Sequence, residues 1–384
     1  MRNQKKSVNP NLLLILVVSL GFGLRIGLAH FGHNFDFDSF QIVAGLVQDH
    51  ENVYASTTRY NYGPIWLNIL YVFYSLASWS SNFLPYGPLT LFRYSLPFFL
   101  GLVDLGIMAV LWKKYNKTIA IIFFLNPISV FISGYHNQFG NLAVLVGLLA
   151  MLMYSSGEER LSKNKIIGLI LLGISLSIKH ILFLFPLWLV FKEKRWTERM
   201  IVFLLPITIF LFSFLPYLGE GREGIIRNVF LYKSLDNHIF FRLFVPGMLR
   251  GFISSKVLWW LIVIVFGIIY RKKEGFYSLL TYLIVFVSTS PSIANQYLSL
   301  PMAFIAAYLN PFFMVYMIYG SFHLMIDKAG LDLTMITQSI PIQRDFSFMI
   351  LVVLLVLGFL WHIWGDRAKG YFRTNFFRNS PAEE

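Results

Sequence analysis

The chain has 384 residues, of which 57% are apolar and 13% charged, a formal net charge of +13 and a mean hydropathy of +0.63. A soluble domain carries about 25% charged residues, so this composition excludes one and points to a polytopic membrane protein. The Lys and Arg sit in short clusters between apolar runs, which argues for membrane orientation and against nucleic-acid binding; with no cysteine, there is also no disulfide framework, thiolate metal site or cysteine nucleophile.

A spanning helix needs roughly 20 apolar residues. Apolar segments run over 12–29, 64–80, 91–112, 118–132, 139–154, 166–178, 181–191, 200–217, 256–270, 276–289, 298–309, 312–326 and 347–364. The expected fold class is therefore all-α: one polytopic transmembrane helix bundle over residues 1–384, with about 11–13 membrane segments, several of them short. Arg2, Lys5 and Lys6 precede the first run and no small-residue cleavage site follows it, so that helix is expected to stay as a signal anchor. Pro127, Lys179-His180 and Asn310-Pro311 interrupt longer apolar stretches. Helices that stop around polar residues are tolerated where the backbone faces protein or a wet cavity.

Six basic clusters hold 20 of the 32 Lys and Arg: 2–6, Lys113/Lys114/Lys117, Arg160/Lys163/Lys165, 192–199, Arg271–Lys273 and the tail from Arg367 onward. Placed together on the cytoplasmic side, they leave the polar motifs on the other side. Parity then requires either that 64–80 is a re-entrant or interfacial helix, the favoured reading, or that one segment boundary lies elsewhere. No internal repeat is evident, which argues against transporters built from repeated halves.

The polar stretch from Phe35 to Pro64 reads as a catalytic outer loop, spanning 30–63 with its flank. Asp36-Phe37-Asp38 opens it, and Tyr60-Asn-Tyr-Gly-Pro64 closes it. Two nearby carboxylates supply a general base and a second acidic group, and each would shift the other's pKa. His30, His33 and Asp36 stand at i, i+3, i+6; the residue types suit a metal, but interfacial histidines are the better reading. Arg93 and Asp104 share one helix three turns apart, so each is expected to pair with another helix.

Gly134–Asn141 breaks two apolar helices with His136, Asn137 and Gln138, groups suited to sugar recognition and to a nearby phosphate. Lys179 and His180 lie between apolar runs, where a cation calls for an anionic partner such as a lipid phosphate. The second outer loop, 218–250, interleaves Lys233, Arg242 and other cations with aromatics, a mixture that suits a lipid head group. Ser288–Tyr297, with Gln296 and Tyr297, precedes a helix expected near Leu298, a start that could face an anion.

In this order the motifs resemble the GT-C superfamily of integral-membrane glycosyltransferases, over roughly residues 12–310. Asp36-Phe37-Asp38 resembles the acidic motif of the GPI-anchor mannosyltransferase I family, and Arg59-Tyr-Asn-Tyr62-Gly-Pro64 resembles that family's Tyr-Arg-Tyr-Thr-Pro. Leu91-Phe92-Arg93 through Asp104, then Gly134–Asn141, resemble the dolichyl-phosphate-glucose-dependent glucosyltransferases, whose His-Phe-Gln-Tyr-Asn is here His136-Asn-Gln-Phe-Gly.

The resemblance implies an inverting hexose transfer, mannose favoured, from a polyprenyl-phosphate donor to a lipid-linked or glycan acceptor. Asp36 is the implied base, with Asp38 where the glucosyltransferases have Glu; together with the residue reading above, the candidate substrate-binding residues are Arg59, Tyr62, His136, Asn137, Gln138, Lys179, His180, Lys233, Arg242, Gln296 and Tyr297. The membrane would be a bacterial inner or plasma membrane with the site on its non-cytoplasmic face. A divalent metal (Mg or Mn) is left open as the one candidate cofactor, and no nucleic acid is involved. The alternatives are a transporter or flippase of a lipid-linked or small anionic substrate, and an accessory subunit without chemistry of its own.

Overall fold

In the computed structural model, the structure describes residues 10–155, 161–232, 236–327, 331 and 343–376. Lys233, Arg160 and the basic residues at 2–6 lie outside the described residues. Among the described residues the chain is helical, with no strand.

The helices are α1 (Pro10–Phe31), α2 (Phe35–Gln48), α3 (Val53–Ser56), α4 (Pro64–Ser80), α5 (Pro88–Lys114), α6 (Lys117–Phe124), α7 (Pro127–Gly134), α8 (Gly140–Ser155), α9 (Lys163–Ile178), α10 (Phe185–Val190), α11 (Trp196–Phe212), α12 (Leu218–Ile225), α13 (Ile239–Phe244), α14 (Ser255–Ile269), α15 (Gly275–Thr289), α16 (Met302–Ala307), α17 (Pro311–Ile326) and α18 (Arg344–Phe376).

Four helical stretches are long and apolar enough to cross a membrane: Asn11–Phe31, Pro88–Lys114, Trp196–Phe230 and Arg344–Gly365. The pair α6–α7, bent by 46°, makes a fifth if it is one span. The other apolar segments are shorter helices, such as α14, α15 and α17, so fewer helices than the expected 11–13 have spanning length by themselves. The α4 helix, the segment that parity singled out, has 17 residues.

Helix starts follow the local chemistry. Asn34, Asn52, Asn126 and Asn310 each cap a helix by accepting from a backbone N–H of its first turn. Pro64, Pro88, Pro127 and Pro311 occupy first-turn positions, where the missing N–H costs nothing. The stretch expected as a catalytic loop is instead largely α2. After the Asn34 cap, Phe37, Phe40, Val43 and Ala44 recur at helical spacing and are buried, so an amphipathic helix forms despite its two carboxylates.

Lipid tails are as apolar as the side chains, so close packing and polar ties hold the helices together. Gly168 on α9 lets α8 approach until an added Cβ would stand 2.7 Å from the Ala150 carbonyl. Arg25 of α1 pairs with Asp104 of α5 at 2.7 Å, both fully buried. Arg25 also donates to the Ser133 hydroxyl and to the carbonyls of Gly21 and Phe124. Asn141 donates to the other Asp104 oxygen at 2.7 Å. One ion pair thus ties α1, α5, α6, α7 and α8. Asp104 pairs across helices as expected, whereas Arg93 makes no ion pair among the described residues and lies over the neighbouring Tyr94 ring.

The basic clusters join one another. Lys114 pairs with Glu274, Lys165 with Glu193, and Lys192 donates to the carbonyls of Tyr270, Arg271 and Lys273. These cations gather around the ends of α5, α9, α14 and α15, as the charge pattern requires if they share one membrane face.

Candidate functional site

A cavity of about 950 Å³ opens among α2, the turn before α4, the α9–α10 break, and the segments around 229–237, 256–260 and 290–297. Asp36 reaches it from the first turn of α2. The Asn34 cap accepts from the Asp36 N–H at 3.1 Å and donates back to Asp36 Oδ2 at 3.2 Å. Gln138 Nε2 donates to the same oxygen at 2.6 Å. Asp36 Oδ1 has no hydrogen-bond partner among the described residues. Burial pushes the carboxyl above its ordinary value of 3.8, against the opposing pull of Lys179, Asn34, Gln138 and Arg59.

Lys179 lies where α9 ends. It adopts an extended backbone as the C-cap residue, so its side chain turns inward from the helix end. Its ammonium donates to Gln138 Oε1 at 3.2 Å and to Gln296 Oε1 at 3.1 Å. It also lies 5.1 Å from the Tyr62 ring centroid and 4.8 Å from that of Phe139, where the negative ring faces attract it. Gln138 therefore joins carboxylate and cation: its amide nitrogen serves Asp36 and its oxygen the Lys179 ammonium, which fixes the orientation of the amide.

The Tyr-Asn-Tyr-Gly-Pro turn sets the wall of the site. The Tyr60 hydroxyl donates to the Gly63 carbonyl at 2.7 Å, and the Tyr54 hydroxyl to the Tyr62 carbonyl at 3.0 Å. Gly63 presses on the last turn of α9, where a Cβ would stand 1.9 Å from the Ser177 carbonyl oxygen. No side chain fits there, and the absence of one lets Tyr62 reach Lys179. Arg59 lies over the Phe35 ring at 4.1 Å, lines the cavity, and makes no ion pair among the described residues.

Asp36, Arg59, Tyr62, Lys179, His180, Gln296 and Tyr297 all line this cavity, and Gln138 stands directly behind Asp36. His136 and Asn137 are buried outside the lining, so His136, expected near a donor phosphate, does not face the cavity. His136 Nδ1 meets the Asn34 amide at 2.8 Å instead, and burial lowers its pKa to about 4. That lowering favours the neutral ring, whose Nδ1 then accepts from the Asn34 amide that also holds Asp36. Asn137 takes a left-handed φ of 54° and shapes the turn that carries Gln138.

Other expectations are corrected. Asp38 does not join Asp36: it is 48% exposed, lies 3.7 Å from His33 and is absent from the cavity wall. Side chains two apart on a helix diverge, so the carboxylates do not act as a pair. Arg242 is absent from the cavity wall and pairs at 2.8 Å with Asp345, which lines it together with Arg344.

His30, His33 and Asp36 do not converge: His30 meets Tyr94, and His33 turns towards Asp38 and the Asn34 carbonyl. Among the described residues no three His, Asp or Glu side chains are placed to hold a metal ion. At Ser288–Tyr297 a short 3₁₀ turn, Asn295–Ser299, precedes α16, in place of a helix start near Leu298.

Sequence reasoning missed Asn34, Arg25, Lys256 and Trp260. The first two had signals: an Asn just before an acidic first turn is a helix start, and an arginine inside an apolar run demands a partner. Compared with family models, curated proteins and solved structures, the chain matches none.

Proposed function

We propose that this helical membrane protein is a glycosyltransferase. It transfers a hexose, mannose favoured, from a polyprenyl-phosphate donor to a lipid-linked or glycan acceptor with inversion at the anomeric carbon. The observation that carries the reading is the Asp36–Gln138–Lys179–Gln296 chain at the cavity wall. A desolvated carboxylate with one free oxygen stands beside a fixed cation, in a space large enough for a sugar and its phosphate. The motif resemblance to GT-C enzymes supports the same reading.

In this mechanism the acceptor hydroxyl gives its proton to Asp36 Oδ1 as its oxygen bonds to the anomeric carbon. The bond from that carbon to the phosphate oxygen breaks on the opposite face, and the electron pair leaves with the phosphate. Lys179 and Arg59 stabilise the charge that develops there. The raised pKa of Asp36 makes it a stronger base than a solvated aspartate. Aromatic side chains along the wall, Phe183 and Phe230 among them, give the polyprenyl tail an apolar path. The site would face the non-cytoplasmic side of a bacterial inner or plasma membrane, opposite the joined basic clusters.

The test is transfer of radiolabelled sugar from polyprenyl-phosphate-mannose and polyprenyl-phosphate-glucose in membranes, comparing wild type with Asp36→Asn. Loss of about 10²-fold or more, with protein level intact, is expected for removal of a general base. Transfer unchanged by this substitution removes the mechanism. No transfer with either donor, together with movement of labelled lipid across vesicles, assigns a transporter instead.

A further inference from the structure

The charges that line the cavity are unevenly placed. Around Asp36 stand two cations, Lys179 and Arg59, against one carboxylate, so this end favours an anion. The other wall carries Lys256, Arg344, Asp236 and Asp345, which balance. Lys256 Nζ pairs with Asp236 Oδ2 at 2.8 Å, and Ser292 Oγ donates to Asp236 Oδ1. Arg344 and Asp345 have their own opposite partners in Asp327 and Arg242. A phosphate gains nothing from this second end.

We infer that this charge-balanced wall, built on Asp236, Lys256 and Ser292 beside Trp260, is a subsite for the hydroxyls of a neutral sugar ring, the terminal sugar of the acceptor. The inference rests on the glycosyl-transfer reading of the cavity and specifies its acceptor as a saccharide. Neighbouring ring hydroxyls each donate and accept. A carboxylate beside an ammonium answers both needs with charge-assisted hydrogen bonds.

The side chains are within reach of a ligand: Lys256 is 53% and Asp236 23% exposed. The indole of Trp260, 41% exposed, is one helical turn from Lys256 and on its face of α14. It offers a flat surface to the C–H face of a pyranose. The wall is also pre-set, which lowers the ordering cost of binding. Asn237 and Ile293 exchange hydrogen bonds of 2.8 and 3.2 Å, and the His238 N–H donates to the Pro291 carbonyl at 2.8 Å. These ties hold the loop of Asp236 against the loop of Ser292.

The experiment is saturation-transfer NMR on the full chain in lauryldimethylamine oxide, a detergent with neither sugar nor phosphate. The probes are methyl α-mannopyranoside and methyl α-glucopyranoside. Wild type should transfer saturation to the ring protons of at least one probe. Affinity should fall about tenfold or more in Asp236→Asn and Lys256→Met, from loss of a charge-assisted hydrogen bond, and should also fall in Trp260→Leu. Arg222→Ala, which removes an exposed cation away from the cavity, should leave it unchanged.

Absence of transfer to both probes in wild type overturns the inference, as does binding indifferent to Asp236 and Lys256. The two readings fail separately. Sugar binding that needs Asp236, in a protein that transfers no hexose, keeps the subsite and removes the transferase. Hexose transfer with sugar binding indifferent to Asp236 does the reverse.

Discussion

The Arg25–Asp104 pair allows a stability measurement that needs no knowledge of the substrate. Asp104→Leu leaves the guanidinium fully buried, with the Gly21 and Phe124 carbonyls and the Ser133 hydroxyl as partners but no counter-charge. Removing one member of a buried pair costs about 3–5 kcal/mol. Arg25→Met strands the carboxylate, which keeps only the Asn141 amide, and the cost is of the same order. Replacing both removes the stranded charge. What remains is the unmet Asn141 amide and the freed carbonyls, about 1–3 kcal/mol for each buried group left without a partner. The double variant should therefore be less destabilised than the sum of the singles by about 2 kcal/mol or more. Equilibrium unfolding of the four proteins in mixed micelles reads this directly. Additive effects, or single losses under about 1 kcal/mol, would refute the reasoning, because they would mean that water or lipid head groups already solvate the pair.

Three further outcomes follow from the site. If Asp36 is the base, its raised pKa sets the acidic limb of the pH–rate profile: activity is full above that pKa and lost as pH falls through it. Lys179→Met removes a charge that favours the ionised form, so the limb should move to higher pH; an unmoved limb assigns it to another group. Gly63→Ala places a methyl 1.9 Å from the Ser177 carbonyl oxygen, so the turn must shift, and transfer should drop by about 10²-fold for a displacement near 1 Å, measured at normal expression. Asn34→Ser keeps a capping oxygen but loses the amide that holds Asp36 and His136, so helix content by circular dichroism should persist while transfer falls; Asn34→Ala should also cost about 1 kcal/mol of stability.

Much of the helical frame was legible because proline, asparagine and charge mark the ends of apolar runs. The breaks at Asn126-Pro127 and Asn310-Pro311 fall where those residues cap and start new helices. The α2 helix was hidden because its carboxylates and amides outweighed the spacing of Phe37, Phe40 and Val43, which carried the information. In the site, Asp36, Lys179 and Gln296 stood out as polar groups beside apolar runs. Their convergence, and the bridging role of Gln138, depends on contacts between residues 41 to 117 positions apart, which no local pattern encodes. Asp38 and Arg242 were misplaced for the same reason. Charge marks a residue as important to solvation but gives no direction to its side chain.

The partners Arg25 and Asp104 are 79 residues apart, which bears on how the protein is made. At about 5–20 residues per second, the arginine of the first helix waits several seconds for its carboxylate to be synthesised. Over that interval the helix carries a lone cation whose insertion costs about 2.5–3.5 kcal/mol at the bilayer centre. Pairing with Asp104 relieves that lone charge once the fifth helix arrives.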